Sequence, residues 1–73
     1  MLAKDTLDGS YSIVSESYLP KDPLEKAVWD ALRRRSGAFK TEDYVTETGF
    51  SEVLVKAAVE KFIEKDLIRK SYQ

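Results

Sequence analysis

One short break constrains the fold of this chain more than any other feature. Thr48-Gly49-Phe50-Ser51 separates two stretches that each read as a helix. Gly49 reaches the left-handed backbone conformation at little cost, because it has no Cβ to clash. Ser51 has the hydroxyl needed to cap the helix that follows. That helix is expected to run to about Lys65, with Val55, Ala58, Val59 and Phe62 as its core stripe and Ile63 at the stripe's edge. Before the break, Thr41 is expected to cap a helix carrying Glu42 and Asp43 in its first turn and Tyr44 and Val45 as its main apolar side chains. At about two turns it holds only when packed against neighbours.

A further helix is marked at its start. Asp22 is expected to accept a bond from a free amide, Pro23 suits the first helical position, and Glu25 completes a capping-box spacing. Leu24, Ala27, Val28, Ala31 and Leu32 follow the i, i+3, i+4, i+7, i+8 pattern of a buried face. Arg33, Arg34 and Arg35 complement the dipole at its end, and Ser36-Gly37 stops it.

The remaining segments read as sheet or tail. Residues 11–19 are rich in aromatic and β-branched side chains, with Tyr11, Ile13 and Leu19 on one face and Val14 and Tyr18 on the other, so a strand is expected that Pro20 ends. Residues 67–72 read as a final strand, and Ala38, Phe39 and Lys40 as a very short one. Residues 1–10 show no apolar period and are expected to be a flexible tail, leaving 11–73 as the domain.

The chain of 73 residues supports one domain at most. A domain of this size buries only roughly 60% of the surface of its unfolded chain, which leaves little room for a deep pocket. There is no cysteine and no histidine, so disulfides and thiolate or imidazole metal ligands are excluded. The same absence removes the usual proton carriers and nucleophiles of catalysis, and the three glycines are too scattered for a phosphate-binding loop. The expectation is therefore no enzyme, no metal and no cofactor. No apolar run of signal-peptide or membrane-spanning type is present, so a cytoplasmic location without membrane contact is expected.

The net charge of −1 conceals a segregation. Residues 21–40 carry six bases against three acids, whereas residues 41–66 carry seven acids against three bases. The basic block centres on Arg33–Arg35, and Arg69 and Lys70 add a second basic spot near the end.

Thr41-Glu42-Asp43-Tyr44-Val45-Thr46-Glu47-Thr48-Gly49-Phe50-Ser51-Glu52-Val53-Leu54-Val55 resembles the helix-turn-helix of the winged-helix superfamily. With the first helix, Phe39 and the ending Phe62–Arg69, the resemblance covers roughly residues 22–70. It implies an α+β, mostly helical, winged-helix-like three-helix domain with a small antiparallel sheet. The family usually has a β-hairpin after its third helix, and this chain has one strand there. Residues 11–19 are expected to supply the missing strand by pairing with residues 67–72, because each alone would be an unpaired edge.

Two functions from different classes follow. The resemblance implies a module that binds double-stranded DNA, acting in transcription regulation or as a phage or mobile-element accessory protein. Ser51, Glu52, Val53 and Lys56 would then face the groove, and Arg33, Arg34, Arg35, Lys40, Arg69 and Lys70 would contact the phosphates, with a homodimer expected on a palindromic site. The alternative is a non-enzymatic protein-protein interaction module that uses Val53, Leu54, Ala57, Glu60 and Glu64 on the outer face of the third helix. Bland readings stand beside both. The arginine run also serves as an exposed helix end, Trp29 as packing under a strand or the N-terminal segment, and Tyr11, Tyr18 and Tyr72 as sheet packing.

Overall fold

The computed structural model describes residues 7–71. In chain order these form β1 (Gly9–Ile13), α1 (Pro23–Arg34), β2 (Ala38–Phe39), α2 (Thr41–Thr48), α3 (Glu52–Glu64) and β3 (Ile68–Lys70). The class is α+β, with three helices against a small antiparallel sheet of order β2-β1-β3. β1 pairs with β3 through Tyr11↔Lys70, Ser12↔Arg69 and Ile13↔Ile68. The expected union of an N-terminal and a C-terminal strand is therefore present, and the two-residue β2 joins on the other side through Gly9↔Phe39 and Ser10↔Ala38.

The core lies where the three helices meet the sheet. Val28, Ala31 and Leu32 of α1 and Val55, Ala58, Val59 and Phe62 of α3 are all buried, as their spacing requires. Tyr44 of α2 is also buried, and its hydroxyl donates to the Ala38 carbonyl at 2.6 Å. That bond meets the phenol's polar need, while burial pushes its pKa up to about 12. Trp29 is buried between Tyr18 and Phe62, with ring centroids 5.3 and 5.0 Å away in edge-to-face arrangements. Trp29, expected to pack under a strand or the N-terminal segment, packs in the core beneath the connection between β1 and α1 that carries Tyr18.

Several local expectations are corrected. The first strand ends at Ile13, not at Leu19. After it, Val14 N–H donates to the Leu67 carbonyl, and the Tyr18 amide turns back onto the Ser15 carbonyl. That turn carries the Tyr18 ring onto Trp29 and leaves Val14 and Leu19 exposed. The strand also begins at Gly9, so residues 9 and 10 belong to the sheet and not to a tail. Residues 1–6 and Tyr72 lie outside the described residues.

Helix starts also differ from their sequence signals. Asp22 occupies the N-cap of α1 but its side chain makes no capping bond, and Pro23 takes the first helical position as expected. Thr41 is the first residue of α2 rather than its cap. Its amide and its hydroxyl both donate to one carboxylate oxygen of Asp8, at 3.0 and 2.8 Å. The turn between α2 and α3 matches its sequence reading. Gly49 has φ +81°, and the Ser51 hydroxyl accepts from the Leu54 amide at 3.4 Å.

Candidate functional site

α3 is held by its apolar stripe, so the opposite side of the helix faces outward. At 3.6 residues per turn, Val53, Ala57, Glu60 and Glu64 follow one another along that outward line. Val53 is 75% exposed and Leu54 44%, the largest exposures among the bulky apolar side chains of this helix. Ala57, Glu52, Glu60 and Glu64 are exposed as well. Two concavities flank the face. Toward α2 lies an open cleft of about 450 Å³ lined by Asp8, Thr41, Glu42, Val45, Thr46, Glu52 and Lys56. Toward α1 lies a dimple of about 170 Å³ lined by Asp22, Leu24, Glu25, Ala57, Ala58 and Lys61.

Lys56 and Lys61, which flank this face, are engaged by acids. Lys56 Nζ lies 3.0 Å from the Glu52 carboxylate one turn earlier. Lys61 Nζ donates to Glu25 of α1 at 2.9 Å, and that hydrogen bond raises the ammonium's pKa. The carboxylates of the cleft (Asp8, Glu42, Glu52) outnumber its one base, Lys56. The Thr41 hydroxyl hydrogen bond holds the Asp8 carboxyl below its ordinary range.

The basic residues expected to grip phosphates fall into separate places. Arg34 and Arg35 both bind the Glu47 carboxylate of α2, Arg35 at 2.8 Å. Arg35 also lies 3.7 Å from Asp43, with its guanidinium 5.4 Å from the Tyr44 ring centroid. Arg69 is bidentate on Asp66 at 3.1 Å, which lowers the pKa of that carboxyl. Lys70 donates to the Asp8 carbonyl at 3.1 Å and sits 5.5 Å from the Tyr11 ring centroid. Arg33 and Lys40 are exposed, and neither forms an ion pair among the described residues.

The structure therefore gathers Val53, Leu54, Ala57, Glu60 and Glu64 on one helix surface, together with Ser51, Glu52 and Lys56 in its first turns. It anchors Arg34 and Arg35 on α2, and Arg69 and Lys70 at the α3–β3 turn and on β1. Sequence reasoning missed two participants. Asp8 falls in the stretch that reads as a tail, and its one signal in the sequence is an acid shortly before a strand. The dimple formed by Leu24 with Ala57 and Ala58 joins residues far apart in the chain, so no local pattern could reveal it.

Compared with family models, curated proteins and solved structures, the chain matches none. No helix among the described residues is long and apolar enough to cross a membrane. Among the same residues no group of three or more acidic side chains is arranged to hold a metal ion.

Proposed function

We propose that this domain is a non-enzymatic protein-interaction module whose contact surface is the outward face of α3. One observation carries the reading. Val53 and Leu54 stand in solvent beside Ala57 and are bordered by the exposed carboxylates Glu52, Glu60 and Glu64. The two lysines that flank that face, Lys56 and Lys61, are already paired. Exposed apolar side chains grouped on one element gain free energy when a partner covers them. A phosphate backbone brought to the same face would meet three carboxylates and no unpaired ammonium at Lys56 or Lys61, which works against the electrostatic term that dominates DNA affinity.

Duplex DNA is the second reading, and one observation favours it. The first turn of α3, with Ser51, Glu52, Val53 and Lys56, is open to solvent directly after the Gly49 turn. This is the placement that the winged-helix resemblance implies for groove contacts. Arg33 and Lys40 would then join Arg34, Arg35, Arg69 and Lys70 as phosphate contacts.

Paired variants separate the readings. Val53→Asp is expected to abolish capture of a protein partner while leaving the fold intact. Arg69→Ala with Lys70→Ala is expected to leave that capture unchanged. Loss of salt-sensitive DNA binding in the double variant, with no effect of Val53→Asp on any protein contact, would reverse the order of the two.

A further inference from the structure

The chemistry of the α3 face specifies its occupant more closely, and the inference rests on the protein-interaction reading. We infer that the partner is a cationic amphipathic helix that lays an apolar side chain into the dimple between α1 and α3.

The apolar part of the site is narrow. Val53 and Ala57 are one turn apart on α3, and the dimple opens beside Ala57 over Ala58, floored on its other side by Leu24 of α1. A volume of about 170 Å³ is on the scale of one inserted side chain. A helix presents apolar residues at that scale, one or two per turn, and groove binding by helices uses i, i+3, i+4 and i+7 anchors.

The charged part works against pairing of α3 with the α3 of a second copy. Glu60 and Glu64 continue the Val53–Ala57 line toward the end of α3. A parallel pairing of two α3 helices would set Glu60 against Glu60 and Glu64 against Glu64. An antiparallel pairing centred on Ala57 would set Glu60 over the partner's Leu54, taking a carboxylate out of water beside an apolar side chain, and would carry Glu64 past the start of the partner's α3. Asp22 and Glu25 at the dimple add further negative charge, only partly met by Lys61. A partner with lysine or arginine on either side of its apolar stripe satisfies every one of these groups. Electrostatic attraction of that kind also speeds association and rejects acidic competitors.

The test is a titration of the isotope-labelled domain, followed by amide resonances. The probes are a synthetic helix-forming peptide with leucines at i, i+3, i+4 and i+7 and lysines elsewhere, the same peptide with glutamate for lysine, and random duplex DNA. The lysine peptide is expected to shift the resonances of Leu24, Val53, Leu54, Ala57 and Ala58. The glutamate peptide is expected to leave them in place. Glu60→Lys with Glu64→Lys is expected to weaken the lysine peptide by about tenfold, since each exposed charge contact contributes a few-fold. Equal binding of both peptides, or an unchanged affinity in the charge-reversed variant, would overturn the cationic partner while leaving the α3 face as a protein contact. Failure of the lysine peptide to shift these residues overturns the inference as well. Shifts there caused by DNA, with neither peptide binding, would overturn the inference and the protein-interaction reading together.

Discussion

The carboxylate of Asp8 accepts two hydrogen bonds from one residue, Thr41, through its backbone amide at 3.0 Å and its hydroxyl at 2.8 Å. The residue before β1 thereby terminates a helix that starts 33 positions later in the chain. A helix N-terminus has unpaired amides and a partial positive charge, so a carboxylate placed there satisfies both. α2 is short, and its own N-cap position is Lys40, which makes no side-chain capping bond.

Asp8→Ala is therefore expected to lower stability by about 1 kcal/mol, the usual effect of losing a helix cap. The hydroxyl hydrogen bond from Thr41 holds the folded carboxyl below its ordinary value of 3.8. A pKa that is lower folded than unfolded contributes stability above the unfolded value, and that stability is lost as pH falls through the folded value. The gap between wild type and Asp8→Ala in urea unfolding should thus be full at neutral pH and shrink below pH 3.8. An equal gap at neutral and strongly acidic pH would show that the charge of Asp8 plays no part.

Two glycines with positive φ should respond very differently to alanine. At Gly37 an added Cβ would lie 1.9 Å from the Tyr11 carbonyl oxygen. Gly37 is also fixed in place, since its N–H donates to Leu32 and its carbonyl accepts from Tyr11, both at 2.8 Å. Gly37→Ala should separate β1 from β2 and leave little folded protein. At Gly49 no atom of the described residues beyond its chain neighbours lies within 4 Å of an added Cβ, so the left-handed backbone is what resists. Gly49→Ala should cost about 1–2 kcal/mol. Thermal melts of the two variants check the contrast, and similar melting of both would contradict it.

Position on α3 should decide between stability and binding. Phe62 is fully buried, with its ring 5.0 Å from that of Trp29. Phe62→Ala is expected to cost about 3–5 kcal/mol, a large part of the stability of so small a domain. Val53→Asp, at a site 75% exposed, should move the unfolding midpoint by no more than about 0.5 kcal/mol while removing partner binding. Unfolding by Val53→Asp would mean that Val53 packs in the core and that the outward face lies elsewhere.

Glu47 masks two arginines at once, since it receives both Arg34 and Arg35. Exposed ion pairs contribute little to stability, so Glu47→Ala should cost less than about 1 kcal/mol. It should, however, release the Arg34 guanidinium and leave Arg35 only its longer contact with Asp43, raising non-specific affinity for duplex DNA with a steeper dependence on salt. Unchanged DNA affinity would show that the masking is not what limits it.

Much of the fold was legible because it depends on local rules. The stripe Val55, Ala58, Val59, Phe62, the stop at Gly37 and the turn at Gly49 each follow from backbone geometry within a few residues. The pairing of β1 with β3 was legible for a different reason: left alone, each strand would be an unpaired edge. Residues 14–19 misled because aromatic and β-branched composition reads as strand. Tyr18 is instead drawn out of line by its packing on Trp29 and Phe62. The candidate face was legible in part. Helical phase places Val53, Ala57, Glu60 and Glu64 outward, but the ion pairs Lys61–Glu25 and Arg35–Glu47 join different elements and only the folded chain brings them together.

The most direct measurement is fluorescence anisotropy of random-sequence duplex DNA titrated with the unmodified domain, at low and at physiological salt. With Arg34, Arg35, Lys56, Lys61 and Arg69 all paired to acids, no saturable binding is expected at roughly micromolar concentration even at low salt. Micromolar binding that collapses with added salt, and that Arg69→Ala with Lys70→Ala weakens, would establish a working phosphate surface and contradict the protein-interaction reading.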